Sequence, residues 1–252
     1  MISQEETSKR QRGQKEKSQI RAYFKEKRGG VVVEVGANDP SSHTSQSLHL
    51  EDELGWTAVL VEPNPDLAHR AREERPEAKV FELACVSSDT VGEITFYIPI
   101  SAKGEIHSHA SIEKNIDDQQ YAEHREIRVK SKSLNSILDE AGIDQIDLVS
   151  IDVEGAEMEV LAGLDLEKHR PYMILLEDKH VFLNKHRFLK KNGYSLVFRS
   201  CQNCWYVPVG SPRPDQSLGQ KFSLFRRLYF SIWIKKTKLA LKKRSLKPFA
   251  SL

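Results

Sequence analysis

Val31-Val-Val-Glu-Val-Gly-Ala-Asn-Asp-Pro40 is the stretch from which the fold can be read. Five residues rich in Val run into Gly36, the pattern of a buried parallel strand that ends in a tight turn. Ligands of α/β sheets bind at the carboxyl ends of such strands, where a glycine lets the backbone approach closely. A dinucleotide-binding turn would need G-x-G-x-x-G here, but Gly36 is followed by Ala37, Asn38, Asp39, Pro40 and Ser41. A pyrophosphate cradle is therefore not expected. Glu34, Asn38 and Asp39 leave a polar turn suited to a ligand with amines and hydroxyls.

Outward from this turn, Ser45 to Leu54 has leucines at spacings a short helix can use, and Gly55 ends it. Trp56-Thr-Ala-Val-Leu-Val-Glu62 reads as the second strand, delivering Glu62 to the same rim. An acidic residue about two dozen positions after the first turn can accept hydrogen bonds from both hydroxyls of a ribose. Pro63-Asn-Pro65 closes the strand. Asp66 to Arg75 is expected to be helical, and Ala78 to Ala84 a third strand whose small end, Ala84-Cys85, leaves room for an adenine ring. Glu34, Gly36, Asn38, Glu62, Pro63, Ala84 and Cys85 together outline a pocket for S-adenosylmethionine.

Farther along, Gly92 to Ile98 alternates like a half-buried strand, an edge hairpin by its setting. Pro99 to Tyr121 loses all periodicity and carries His107 and His109, as a loop over a site would. Glu126 to Ser131 resumes extended structure, and Ser133 to Gly142 is an amphipathic helix with an N-cap and a terminal glycine. Ile146 to Asp152 and Pro171 to Asp178 are apolar strands ending in carboxylates, the first followed by a helix from Ala156. Strands near positions 31, 57, 79, 146 and 172 thus aim acidic or small residues at one rim of an α/β sheet.

The 252 residues are 39% hydrophobic, enough for one α/β domain with extensions at both ends. Residues 1–28 carry nine Lys or Arg against four Glu and read as a charged leader, with a helix from about Gln14 to Arg28. Residues 29–210 form the catalytic-sized domain, and 211–252 a tail. The net charge of +2 conceals a split: residues 219–252 hold ten Lys or Arg and no Asp or Glu, leaving 28 against 36 in the rest. Such a tail calls for an anionic partner. Phe222, Phe225, Tyr229, Ile232 and Trp233 fall on one side of a helix, opposite Arg227, Lys235, Lys238 and Lys242. The uncharged run from Leu228 to Ile234 is too short to span a bilayer, so residues 218–247 are expected to lie in an anionic membrane surface. Packing against protein, including a homo-oligomer, is the alternative, and nucleic acid is disfavoured because stacking aromatics usually sit in a sheet or groove. Cys85, Cys201 and Cys204 are too few for a disulfide framework, and Cys201-x-x-Cys204 lacks the second pair a structural zinc needs. With no cleavable hydrophobic signal at the start, the expected location is cytoplasmic, peripheral on the inner face of the membrane.

The chain resembles the FkbM family of S-adenosylmethionine-dependent methyltransferases over roughly residues 31–207. The resemblance rests on Val33-Glu-Val-Gly-Ala-Asn38, Gly55-Trp-Thr-Ala-Val-Leu-Val-Glu-Pro-Asn-Pro65, Ile151-Asp-Val-Glu-Gly-Ala-Glu157 with Val160-Leu-Ala-Gly163, and Asn203-Cys-Trp-Tyr-Val207. It implies a class I methyltransferase (Rossmann-like) fold, a mostly parallel seven-stranded sheet with one reversed strand and helices on both faces. It also implies methylation of hydroxyls on sugars or polyketides. Deprotonating such a hydroxyl needs either a histidine base, for which His107, His109 and His180 are candidates, or a divalent cation that acidifies it. Asp152, Glu177 and Asp178 offer hard oxygen ligands for Mg²⁺, similar to the metal site of macrolide-sugar O-methyltransferases. Asp152 is alternatively a cofactor contact. The expected function is O-methylation of a membrane-linked glycan such as a surface polysaccharide or O-antigen. Methylation of a soluble small molecule, and an inactive membrane adaptor, are the rivals.

Overall fold

The structure, a computed structural model, describes residues 4–100, 110–112, 123–178, 183–200, 202–226 and 237. It divides into two compact units, 1–172 and 173–252. Seven strands form a mostly parallel sheet, four contributed by the first unit and three by the second.

In the first unit, β1 (Val31–Val35) is flanked by β2 (Thr57–Val61) and, farther along the chain, β7 (Leu148–Ile151), both parallel to it. The edge strand β3 (Lys79–Phe81) extends the order to β3-β2-β1-β7. Val33 sits opposite Val59 on one side and Val149 on the other, and Val32, Val33, Val59, Leu60, Leu148 and Val149 are wholly buried. A strand covered on both faces keeps apolar residues at consecutive positions, which is why VVVEV and TAVLV lack alternation.

The helices follow their local signals. α2 (Leu48–Leu54) stops at Gly55, which adopts φ 64 and returns its N–H to the last turn. α3 (Pro65–Glu74) starts at Pro65, with the Asn64 side chain accepting from the Asp66 N–H. Proline suits this first helical position, so Pro65 begins the helix rather than only closing the strand. α4 (Leu134–Ala141) runs between the Ser133 cap and Gly142, and α5 (Glu157–Ala162) follows β7.

Three expectations are corrected. The N-terminal helix, α1 (Gln4–Tyr23), starts about ten residues earlier than its composition implied, and it buries Ile20 and Glu16 instead of standing as a solvated leader. The third strand is divided: β3 stops at Phe81, and Ala84–Cys85 (β4) belongs to a separate three-stranded sheet with β6 (Glu123–Lys132) and β5 (Gly92–Ile100), in the order β4-β6-β5. β5 is therefore half of a long antiparallel pair, with register from Gly92–Ser131 to Ile100–Glu123, around a core of Ala84, Phe96, Ile98 and Val129. Its partner is distant in sequence, which local alternation cannot reveal.

In the second unit, β8 (Met173–Glu177) and β9 (Tyr194–Ser200) run alongside β10 (Asn203–Pro208), which is antiparallel to both and is the reversed strand of the sheet. Trp205 on β10 is fully buried with its ring edge-on to Phe198, centroids 5.0 Å apart. α6 (Leu183–Lys191) precedes β9, and α7 (Leu218–Arg226) follows β10.

Candidate active site

The site is assembled at the carboxyl ends of β1, β2 and β7. Gly36 leaves β1 with φ 82, and its N–H donates to the Val61 carbonyl at the end of β2, 2.9 Å away. A Cβ on Gly36 would lie 1.9 Å from the Asp152 carbonyl oxygen, so no other residue fits. The close approach inferred for this glycine is real, and the group it admits is the backbone of the strand next door. Asn38 also has positive φ, at 52, which asparagine tolerates better than most residues.

Glu62 holds the turn from beneath. One carboxylate oxygen accepts from the Asn38 N–H at 2.7 Å, and the other from the Asn64 N–H at 2.8 Å. The carboxyl is buried, and burial pushes its pKa up to about 7 against the pull of those two amides. An ionised carboxylate has about four acceptor positions. The two amides use two, so Glu62 has capacity for two further donors, the number a ribose diol provides. Pro63 follows it directly and is half-buried.

Glu34 is placed differently from its neighbour. Oε1 accepts from the Gln46 N–H at 2.7 Å, while Oε2 takes the Ser45 hydroxyl at 2.9 Å, the Ser47 N–H at 3.2 Å and the Ser47 hydroxyl. Its carboxylate thus moors residues 45–47 to the end of β1. Arg75 reinforces the mooring: Nη2 donates to Ser47 Oγ at 2.9 Å and Nε to Glu51 Oε2 at 2.7 Å, with Arg75 itself buried. Ser45, Gln46, Ser47 and Arg75 went unnoticed as sequence because these contacts join segments 11 to 28 positions apart and have no periodic signature.

Ala84 and Cys85 are buried in the small sheet, where Ala84 contributes to the core and burial raises the Cys85 thiol far above its ordinary pKa. Such a thiol stays protonated and inert. Asp152 follows β7 and is exposed, with its N–H donating to the Val35 carbonyl at 3.0 Å. The turn after it bends through Glu154 at φ 54 and Gly155 at φ 117. Ser111 reaches this turn, donating to the Glu154 carbonyl at 3.2 Å while its backbone pairs with Tyr97 on β5.

In the second unit, Glu177 closes β8 and is buried. Asp178 next to it is buried within 3.8 Å of Lys185, and its carbonyl accepts from Arg199. Lys185 supplies this carboxylate with a positive charge from the protein itself. Cys204 is buried, its thiol pushed up to about 11 with Arg199 donating to its sulfur. His107, His109, His180 and Cys201 lie outside the described residues.

The model of the FkbM methyltransferase domain matches residues 34–196, from the acidic residue of β1 into β9. The chain belongs to the FkbM methyltransferase family. Its fold is accordingly the α/β class I methyltransferase type, and the matched span holds Gly36, Asn38, Glu62 and Asp152. Over 148 residues this FkbM chain is 30% identical to the 2-O-methyltransferase NoeI of Sinorhizobium fredii (strain NBRC 101917 / NGR234), covering 55% of this chain and 58% of that protein. Over 144 residues it is 29% identical to the AMB antimetabolite synthetase AmbE of Pseudomonas aeruginosa, covering 45% of this chain and 7% of that protein. The chain thus spans less than two thirds of the length of these curated relatives. Among solved structures it is similar to a precorrin-6y C5,15-methyltransferase from Geobacter metallireducens GS-15, with TM-score 0.38 and 12% identity over 76% of this chain and 85% of that one. It is also similar to MtNAS in complex with MTA and tNA, with TM-score 0.38 and 14% identity over 80% and 61%.

Proposed function

We propose that this FkbM domain transfers a methyl group from S-adenosylmethionine to a hydroxyl oxygen of a membrane-linked glycan, at the cytoplasmic face of the membrane. Glu62 carries the reading: a buried carboxylate at the end of β2, braced by two backbone amides against the Gly36–Asn38 turn, with acceptor capacity for a ribose diol. The family match supports methyl transfer, and the likeness to the 2-O-methyltransferase NoeI supports oxygen as the accepting atom. The acid-free basic sequence after residue 218 supports a membrane setting.

The donor supplies a methyl group on a sulfonium, so a C–O bond forms as the C–S bond breaks in line with it. What the protein adds is alignment and a route for the hydroxyl proton. His107, His109 and His180 are the base candidates, and Mg²⁺ is the alternative activator.

Calorimetric titration with S-adenosylhomocysteine tests the donor site. Micromolar binding is expected, weakened on the order of a hundredfold in Glu62→Ala by loss of two charge-assisted hydrogen bonds. A folded wild-type protein that does not bind it refutes the reading. Titrations with Mg²⁺ and with EDTA, followed by turnover on lipid-linked and free glycans, then decide the activator and the acceptor.

A further inference from the structure

We infer that α7 is a membrane-docking helix, which lays Leu218, Phe222 and Phe225 into the interface of an anionic lipid bilayer. The inference depends on the methyltransferase reading only for why an acceptor should be found there.

Leu218, Phe222 and Phe225 stand at i, i+4 and i+7, on one stripe of the helix. They are 85%, 67% and 51% exposed, whereas buried aromatics such as Trp205 and Tyr206 are 2% exposed or less. A helix packed on its own domain would turn this stripe inward. α7 is nevertheless firmly begun. Ser217 Oγ accepts from the Gln220 N–H at 3.2 Å while Gln220 Oε1 accepts from the Ser217 N–H at 2.8 Å, a reciprocal cap. Gln216, just before the cap, donates its side-chain amide to the Val197 carbonyl on β9. The chain therefore starts a helix at a set place with Leu218, Phe222 and Phe225 each more than half exposed.

Charge identifies the occupant. Lys221 and Arg226 flank the stripe on α7, and from 227 onward the sequence adds Arg227, Lys235, Lys236, Lys238 and further basic residues with no acid among them. Pairing with the same helix of a second copy would set positive charge against positive charge. An anionic lipid surface accepts aromatic side chains and basic residues together. Each Lys or Arg held near such a surface raises partitioning about fivefold.

Sedimentation of the full chain with vesicles tests this. Binding is expected to phosphatidylcholine vesicles carrying phosphatidylglycerol, to weaken as salt rises, and to be far weaker with phosphatidylcholine alone. Phe222→Ser with Phe225→Ser should lower the partition coefficient by roughly tenfold or more, with little change in thermal unfolding because both side chains are more than half exposed. Equal binding to both vesicle types, or no difference in the double variant, overturns the inference. So does a dimer, or retention of RNA, that the same substitutions abolish while vesicles are ignored. S-adenosylhomocysteine titration on the same preparations keeps the two readings apart: donor binding without vesicle binding sinks the docking helix alone, and the reverse sinks the methyltransferase alone.

Discussion

Glu62 is a single carboxyl on which folding draws and on which, in the function proposed, donor binding draws as well. Its pKa is about 7 in the folded protein against an ordinary 4.5, so folding favours its protonated form. The stability this gives is complete below about pH 4.5 and disappears as the pH rises through 7, amounting to about 3 kcal/mol at most. Burial holds the His49 ring down at about 4, with the Lys17 and Arg21 charges adding to the effect. That contribution has the opposite slope, since it is present above pH 6.5 and lost as the pH falls. The Glu62 component is therefore read as the difference between wild type and Glu62→Gln in chemical denaturation from pH 5 to 8. In the proposed site ribose hydroxyls would donate to the ionised carboxylate, so S-adenosylhomocysteine should bind progressively less well as the pH drops below 7, releasing a proton on binding. Calorimetry in phosphate and in imidazole, which both buffer at pH 6 with different ionisation enthalpies, measures that proton, and a buffer-independent enthalpy at pH 6 would refute the coupling. The positions of Gly36, Asn38 and Glu62 could all be read from the sequence, because strand ends and turn residues have local signatures. The task of Glu34 could not, because Ser45, Gln46 and Ser47 reach it through tertiary contacts.

At the scale of elements, the segment between β1 and α2 is held by a relay that runs from Glu34 through Ser47 to Arg75 at the end of α3 and back to Glu51 on α2. Arg75→Ala leaves Glu51 facing a buried gap and should cost about 3 kcal/mol, measured by urea denaturation. Arg75→Lys restores charge without the planar fork and should recover only part of this. Three helix ends were legible, since Gly55, Gly142 and Ser133 each act where capping chemistry places them, whereas the Asn64 cap was hidden in a segment that read as the close of a strand. The division of the third strand was not legible. Ala78 to Ala84 reads as one strand, and only the pairing of Ala84 with Ser131, across 47 positions, takes its end into another sheet.

At the scale of the molecule, the matched span of 34–196 is smaller than the unit that folds. It begins inside β1, omits α1, and ends before β10, whose Trp205 is completely buried between β8 and β9. A fragment cut to 34–196 should be insoluble or unfolded. A chain ending at Ser217 should retain its melting temperature within a few degrees and lose only vesicle binding, because α7 exposes its apolar stripe. Circular dichroism melts of the two fragments check both outcomes. The α/β class and the strand rim were evident from five strand-like runs and β10 from the Asn203–Val207 motif, while the part of α1 in the fold was hidden by the charged composition of residues 1–28.

The N-terminal helix offers an unusual vantage point. Glu16 on its buried side is within 3.5 Å of the Gln46 side chain, whose backbone in turn is bound by Glu34. Ser18, two residues on, faces the solvent. An environment-sensitive dye attached at Ser18→Cys would ride the solvent side of the helix that braces Gln46, and would turn a buried tether into an optical gauge of movement in that helix.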